Sequence, residues 1–164
     1  MRAASCVLLL LAASGYSSAR QSETPKETVA RLYRDFAWEI DSVPQRGRPG
    51  LIDQPIEVLQ RYFTDDLTAL ILADRACAMR THEICNLDWS PIWDSQDPAA
   101  KDLAIKSGSD SASVDVTFVF PPTQERMHLV YTLTQTPHGW RVRYIVSSRA
   151  GSLRATLSQK VPAA

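Results

Sequence analysis

Ser113-Val114-Asp115-Val116-Thr117-Phe118-Val119-Phe120 is the stretch that decides the fold. Val114, Val116, Phe118 and Phe120 fall on one side at a period of two, and Asp115 and Thr117 fall on the other. That is the pattern of a strand with one buried face. Pro121-Pro122 ends it, because proline has no amide hydrogen to give a ladder. Downstream, Met127, Leu129, Tyr131 and Leu133 alternate with His128, Thr132 and Thr134. Pro137-His138-Gly139 supplies a turn, after which Trp140, Val142, Tyr144 and Val146 alternate with Arg141 and Arg143. Strands joined by such short turns pair antiparallel as a meander. A weaker strand over about 101–107 is expected before them.

Upstream the apolar spacing is helical. Thr24 is a candidate cap, Pro25 fits a first helical position, and Glu27 can reach back to close a capping box. Val29, Leu32, Tyr33, Phe36 and Ile40 follow on one face, predicting a helix over about 25–40. Pro44, Gly47, Pro49 and Gly50 break the pattern, and Arg46 and Arg48 make that stretch a basic connector. Helical spacing returns through Val58, Leu59, Tyr62 and Phe63. It restarts at Thr64-Asp65-Asp66 with Leu67, Leu70, Ile71 and Cys77, which predicts two helices over about 55–63 and 65–80. Residues 84–100 have no period. Ser152 caps a short final helix with Leu153 and Leu157.

Helices first and an antiparallel meander afterwards is an α+β order in one domain, residues 20–164. Each strand has one apolar face, so the helices are expected to cover one side of the sheet, with Val114, Leu129 and Trp140 turned toward Leu32 and Phe36. A bent sheet wrapped on a helix leaves a concave, partly apolar cavity at its open end.

The first residues read as a secretory leader, residues 1–19: Met1-Arg2, an apolar run from Val7 to Ala13, then small residues at Ser17-Ser18-Ala19. The run is too short to span a bilayer, and no later stretch is long enough. Cys6 precedes the run, so a lipid anchor has no cysteine in the right place. The expected compartment is the periplasm. Removing Cys6 with the leader leaves Cys77 and Cys85, an even pair in an oxidising space, which favours a disulfide. The alternative is a metal held by Cys77, His82, Cys85 and Asp88, but the spacing fits no common zinc pattern. Eighteen basic residues balance eighteen acidic ones, so nothing steers the chain toward nucleic acid or an anionic membrane.

Candidate site residues are few. Asp94, Gln96 and Asp97 form the sharpest cluster. Paired carboxylates serve acid–base chemistry when burial separates their pKa values, or bind a cation; the structural alternative is a cap and turn before the sheet. Asp74-Arg75 is a candidate ion pair with this segment. His128 is a strand histidine that serves as a base if it lines a pocket and is a solvent residue otherwise. Tyr33 and Tyr131 are candidate proton donors. Trp93, with Tyr33, Trp38 and Trp89, is core or a pocket wall. There is no nucleophile elbow, phosphate-binding glycine loop or paired-histidine metal motif, and nothing that names a cofactor.

The segment Trp93-Asp94-Ser95-Gln96-Asp97, the hairpin residues Gly139-Trp140-Arg141-Val142 and the closing Gly151-Ser152-Leu153-Arg154, in this order after two helices, resemble the domain of unknown function 3828 family. That family is similar to the nuclear transport factor 2-like superfamily. The resemblance implies an α+β cone enclosing a pocket and an exported protein, with no agreed reaction. Three functions follow as expectations. The first is a non-catalytic module that binds a small molecule or an envelope protein, including immunity to a secreted toxin. The second is a small pocket enzyme, isomerase or hydrolase, using Asp94 or Asp97. The third is a structural envelope protein with no ligand.

Overall fold

The computed structural model of the protein describes residues 23–40 and 47–159. The expected leader and the first part of the basic connector, including Pro44 and Arg46, lie outside the described residues. Five antiparallel strands form one curved sheet in the order β1 (Lys101–Ser107), β2 (Ser113–Phe120), β3 (Glu125–Thr136), β4 (Gly139–Ser147) and β5 (Gly151–Ser152). The helices are α1 (Pro25–Asp35), α2 (Ile56–Leu59), α3 (Asp65–Thr81) and α4 (Leu153–Leu157). The α+β class and the meander are as the sequence predicts. No helix among the described residues is long and apolar enough to cross a membrane.

Helix α1 starts as read. Thr24 Oγ1 accepts from the Glu27 amide at 3.2 Å, and the Glu27 carboxylate accepts from the Thr24 amide at 2.7 Å. Its Val29, Leu32 and Tyr33 are buried and, with Phe36 just beyond the helix, meet Val114, Val116, Phe118 and Leu129 of the sheet in one core. Burying each such side chain stabilises the fold by roughly 1.5–3 kcal/mol. The predicted helix to residue 40 is corrected: α1 stops at Asp35, and Ala37–Ile40 winds as a tighter 3-10 turn. That turn brings Glu39 to accept from the Leu51 amide at 2.7 Å and from Ser90 Oγ at 2.6 Å.

The predicted helix over 55–63 is also corrected. It is one turn, Ile56–Leu59, with Pro55 at the cap position. The chain then extends so that Phe63 bridges Val142. The Val142 amide donates to Tyr62 O at 2.7 Å, and the Thr64 amide donates to Val142 O at 3.0 Å. These bonds cover part of the β4 edge that β5 does not reach. Thr64 precedes α3 without capping it, since its hydroxyl donates to the Asp66 carboxylate instead.

The main departure lies in β4. Leu133 pairs with Val142 but Thr132 pairs with Tyr144, so Arg143 is an extra residue and the strand bulges. The alternation beyond it is inverted. Ile145 and Ser147 are buried, whereas Val146 is exposed and Tyr144 only half-buried, contrary to the apolar face read through Tyr144 and Val146. Trp140 is half-buried and packs on the margin of the core. Tyr144 instead lies under two guanidiniums, those of Arg143 and Arg154, at 5.5 and 5.0 Å from its ring centre.

Candidate functional site: a groove around Trp89

Residues 84–100 form the site, and α3 fixes their entry. Buried Asp74 accepts from the amides of Asn86 and Leu87 at 2.8 and 3.2 Å. Arg75 does not pair with it, donating instead to Ile52 O and Gln54 O. Asp74 thus satisfies backbone donors rather than forming the expected ion pair. Cys77 and Cys85 are bonded to each other, with Cα atoms 6.1 Å apart, which ties the end of α3 to the start of the segment. Among the described residues no group of three or more His, Cys, Asp or Glu is placed to hold a metal ion.

The segment then closes on itself. The Ser90 amide donates to Ser95 O at 3.0 Å, so Ser90 and Ser95 form an isolated antiparallel bridge, and all residues from Pro91 to Ser95 are buried. Trp93 is at the bottom of this loop, its ring edge-on to Tyr33 at 4.9 Å and to Phe118 at 5.6 Å. Tyr33 donates its hydroxyl hydrogen to Ile92 O at 2.7 Å and lies 2.9 Å from the Tyr131 hydroxyl. Burial pushes the pKa of both tyrosines far up, so they stay neutral. Ser95 Oγ stiffens the exit, accepting from the Asp97 amide at 3.2 Å.

Asp94 is 3% exposed and holds φ +51°, a left-handed conformation that non-glycine residues adopt rarely. Its carboxylate accepts from Ser147 Oγ, its carbonyl accepts from the Arg149 guanidinium, and the Arg149 Nε lies 3.7 Å from its carboxylate. Ser147 Oγ in turn accepts from the amides of Arg149 and Ala150 at 2.9 and 3.1 Å. The bulge in β4 is what turns Ser147 inward to make this latch.

Both arms of the closed loop reach the surface together. Gln96 donates its side-chain amide to the Asp88 carboxylate. On one side of Trp89 lies a cleft of about 390 Å³ bounded by Asp88, Asp97, Phe120 and Arg149, with Asp94 at its base. On the other side lies a cleft of about 280 Å³ bounded by Trp38, Glu39, Arg48 and Asp53 and sharing Asp88, Trp89 and Gln96. Burial raises the Glu39 pKa, partly offset by the hydroxyl of Ser90 and the amide of Leu51. A third hollow of about 810 Å³ sits where the residues before α3 meet the β3–β4 turn, and is edged mainly by exposed side chains such as Arg61, Asp65 and His138.

Of the residues the sequence singled out, Asp94, Gln96 and Asp97 come together in the first cleft. Tyr33, Trp93 and Tyr131 lie in the core and line neither cleft. His128 is on the outer face of the sheet, its Nε2 2.7 Å from Asp115 Oδ1, away from the groove. Sequence reading missed Arg149 and Phe120 as wall residues, and it weighed Asp88 only as a metal ligand. The one signal for Arg149 was its place just before the turn glycine Gly151, which has φ +74°.

A general base must reach the proton it takes. Asp94 is enclosed by Ser147 and Arg149, and no histidine lines either cleft. The arrangement offers shape, ring faces and charge, and in the second cleft Ser90 donates its hydroxyl hydrogen to Glu39, whose carboxylate also accepts from the Leu51 amide. Comparison with family models, with curated proteins and with solved structures finds no match to this chain.

Proposed function

We propose that this chain is a non-catalytic binding module of nuclear transport factor 2-like build, acting outside the cytoplasm, with the groove around Trp89 as its site. The observation that carries the reading is a groove built on a doubly fastened loop. The loop is tied to α3 by Asp74 and the disulfide and to β4 by the Asp94 latch, while Asp88, Trp89, Gln96 and Asp97 stay accessible. Rigid support beneath accessible polar and aromatic side chains lowers the ordering cost of binding. In this reading Asp94 is a structural acceptor and not a base. The disulfide and the leader-like first residues support an oxidising compartment.

The test is a nitrogen-15 NMR titration of the full chain, read at its tryptophan indoles, against a panel of amino acids, amines, carboxylates, sugars and short peptides. Saturable movement of the Trp89 indole, absent for buried Trp93, supports the reading. A panel that leaves Trp89 unmoved, or moves only residues at the hollow near His138, overturns it.

A further inference from the structure

Resting on the groove reading, we infer that the ligand of this groove is a linear organic polycation carrying alkylammonium groups, with Trp89 as the ring wall between two cation subsites.

Each cleft already holds one of the chain's own guanidiniums against an aromatic ring. Arg149 Cζ lies 5.9 Å from the centre of Phe120 in the first cleft, and Arg48 Cζ lies 4.5 Å from the centre of Trp38 in the second. Ring faces attract cations through the quadrupole of the π system, and the attraction grows where water is excluded. Phe120 and Trp38 are thus taken by resident guanidiniums, and the indole of Trp89, which borders both clefts, is the ring left for a ligand cation. The carboxylates outnumber these resident cations. In the first cleft Arg149 is already paired with Asp94 at 3.7 Å and with Glu125 at 3.9 Å, leaving Asp88 and Asp97. Neither forms an ion pair among the described residues, and the Asp97 carboxylate has no hydrogen-bond partner there. Among the described residues that line the second cleft, Glu39, Asp53 and the shared Asp88 stand with the guanidinium of Arg48. Trp89 and Asp88 border both clefts, so one ligand can touch both.

An anion meets surplus negative charge on either side of Trp89, and a neutral apolar ligand desolvates Asp88 and Asp97 without supplying a counter-charge. An alkylammonium chain avoids both costs. It sets ammonium groups beside carboxylates and lays methylenes on the indole. Two sources share this chemistry: a free polyamine, and lysine side chains on an extended peptide.

The experiment is calorimetric titration of the full, disulfide-bonded chain with spermidine and, separately, with an end-capped peptide bearing two lysines; glutarate is the anionic control. Saturable binding of spermidine alone identifies a polyamine site, and preference for the peptide identifies a polypeptide ligand. Either outcome, with glutarate silent, supports the inference. Asp97→Asn alters an exposed side chain with no bond to lose and should weaken binding about fivefold, as should Trp89→Ala. Glu57→Gln, at the remote hollow, should change nothing. Two results overturn the inference: no saturable binding by either cation, or binding equally strong in Asp97→Asn and Trp89→Ala. If the cations fail while another ligand moves the Trp89 indole, the cation assignment falls and the groove stands. If no ligand moves it, both fall.

Discussion

Ser147 gives its hydroxyl hydrogen to the carboxylate of Asp94, 53 residues earlier in the chain, and so joins the bulged end of β4 to the base of the Trp89 groove. Both groups are buried. Three elements converge there: the loop held at Ser90 and Ser95, the bulged strand, and the turn carrying Arg149.

Asp94→Ala removes the acceptor that Ser147 and Arg149 share. It also leaves a residue with φ +51° that has lost its polar tether. Truncating one member of a buried hydrogen-bonded set costs roughly 1–3 kcal/mol, and Asp94 belongs at the upper end. Asp94→Asn keeps an acceptor and tolerates the left-handed conformation, so it should cost less than half as much. Urea denaturation at neutral pH measures both.

The disulfide closes a short loop, so chain entropy gives it about 2.5 kcal/mol. Cys77→Ser combined with Cys85→Ser should lower stability by about that amount and loosen the entry to the groove. The Asp74 bonds to Asn86 and Leu87 keep the segment near α3. The double variant should therefore still fold, with a lower urea midpoint.

Glu39 sets a pH dependence. Burial raises its pKa above the ordinary 4.5, so the folded chain holds this proton more tightly than the unfolded chain. The Glu39 contribution is then fully present below about pH 4.5 and is lost as pH rises through the higher folded value. Glu39→Gln keeps an acceptor for the Leu51 amide, and the Ser90 hydroxyl, which donates to Glu39, can turn to accept from the new side-chain amide. It should stabilise the protein at pH 7, with the gain shrinking toward pH 4 in parallel thermal melts.

Much of the frame was legible. The capping box at Thr24 and Glu27, the alternation from Val114 to Phe118 and the Cys77–Cys85 pair all have local or compositional causes, and a sequence displays them directly. The bulge was not legible, because Trp140, Val142, Tyr144 and Val146 keep an unbroken period of two. Pairing decides otherwise: Ile145 sits opposite Tyr131 and Ser147 opposite Leu129, both inward residues of β3. The loop from Pro91 to Ser95 has no period, since its burial comes from Tyr33, Phe118 and Ser147, all distant in sequence. Asp94, Gln96 and Asp97 were picked out, but the supporting role of Asp94 depends on that unseen bulge.

The bulge makes a sharp contrast between neighbours. Ile145→Asp places a charge in the core and should cost about 3 kcal/mol or more, enough to impair folding. Val146→Asp, at a position 44% exposed, should cost about 0.5 kcal/mol. The simple alternation through Val142 demands the reverse order, and paired denaturation curves distinguish the two.

The groove is held rigid from beneath by the Ser147–Asp94 latch, and amide hydrogen exchange on Ser147→Ala measures that most directly. Exchange over residues 87–98 should accelerate in the variant while the paired amides of β2 and β3 keep their protection. Unchanged exchange over 87–98, in a variant that lacks the hydroxyl and remains folded, would contradict the account.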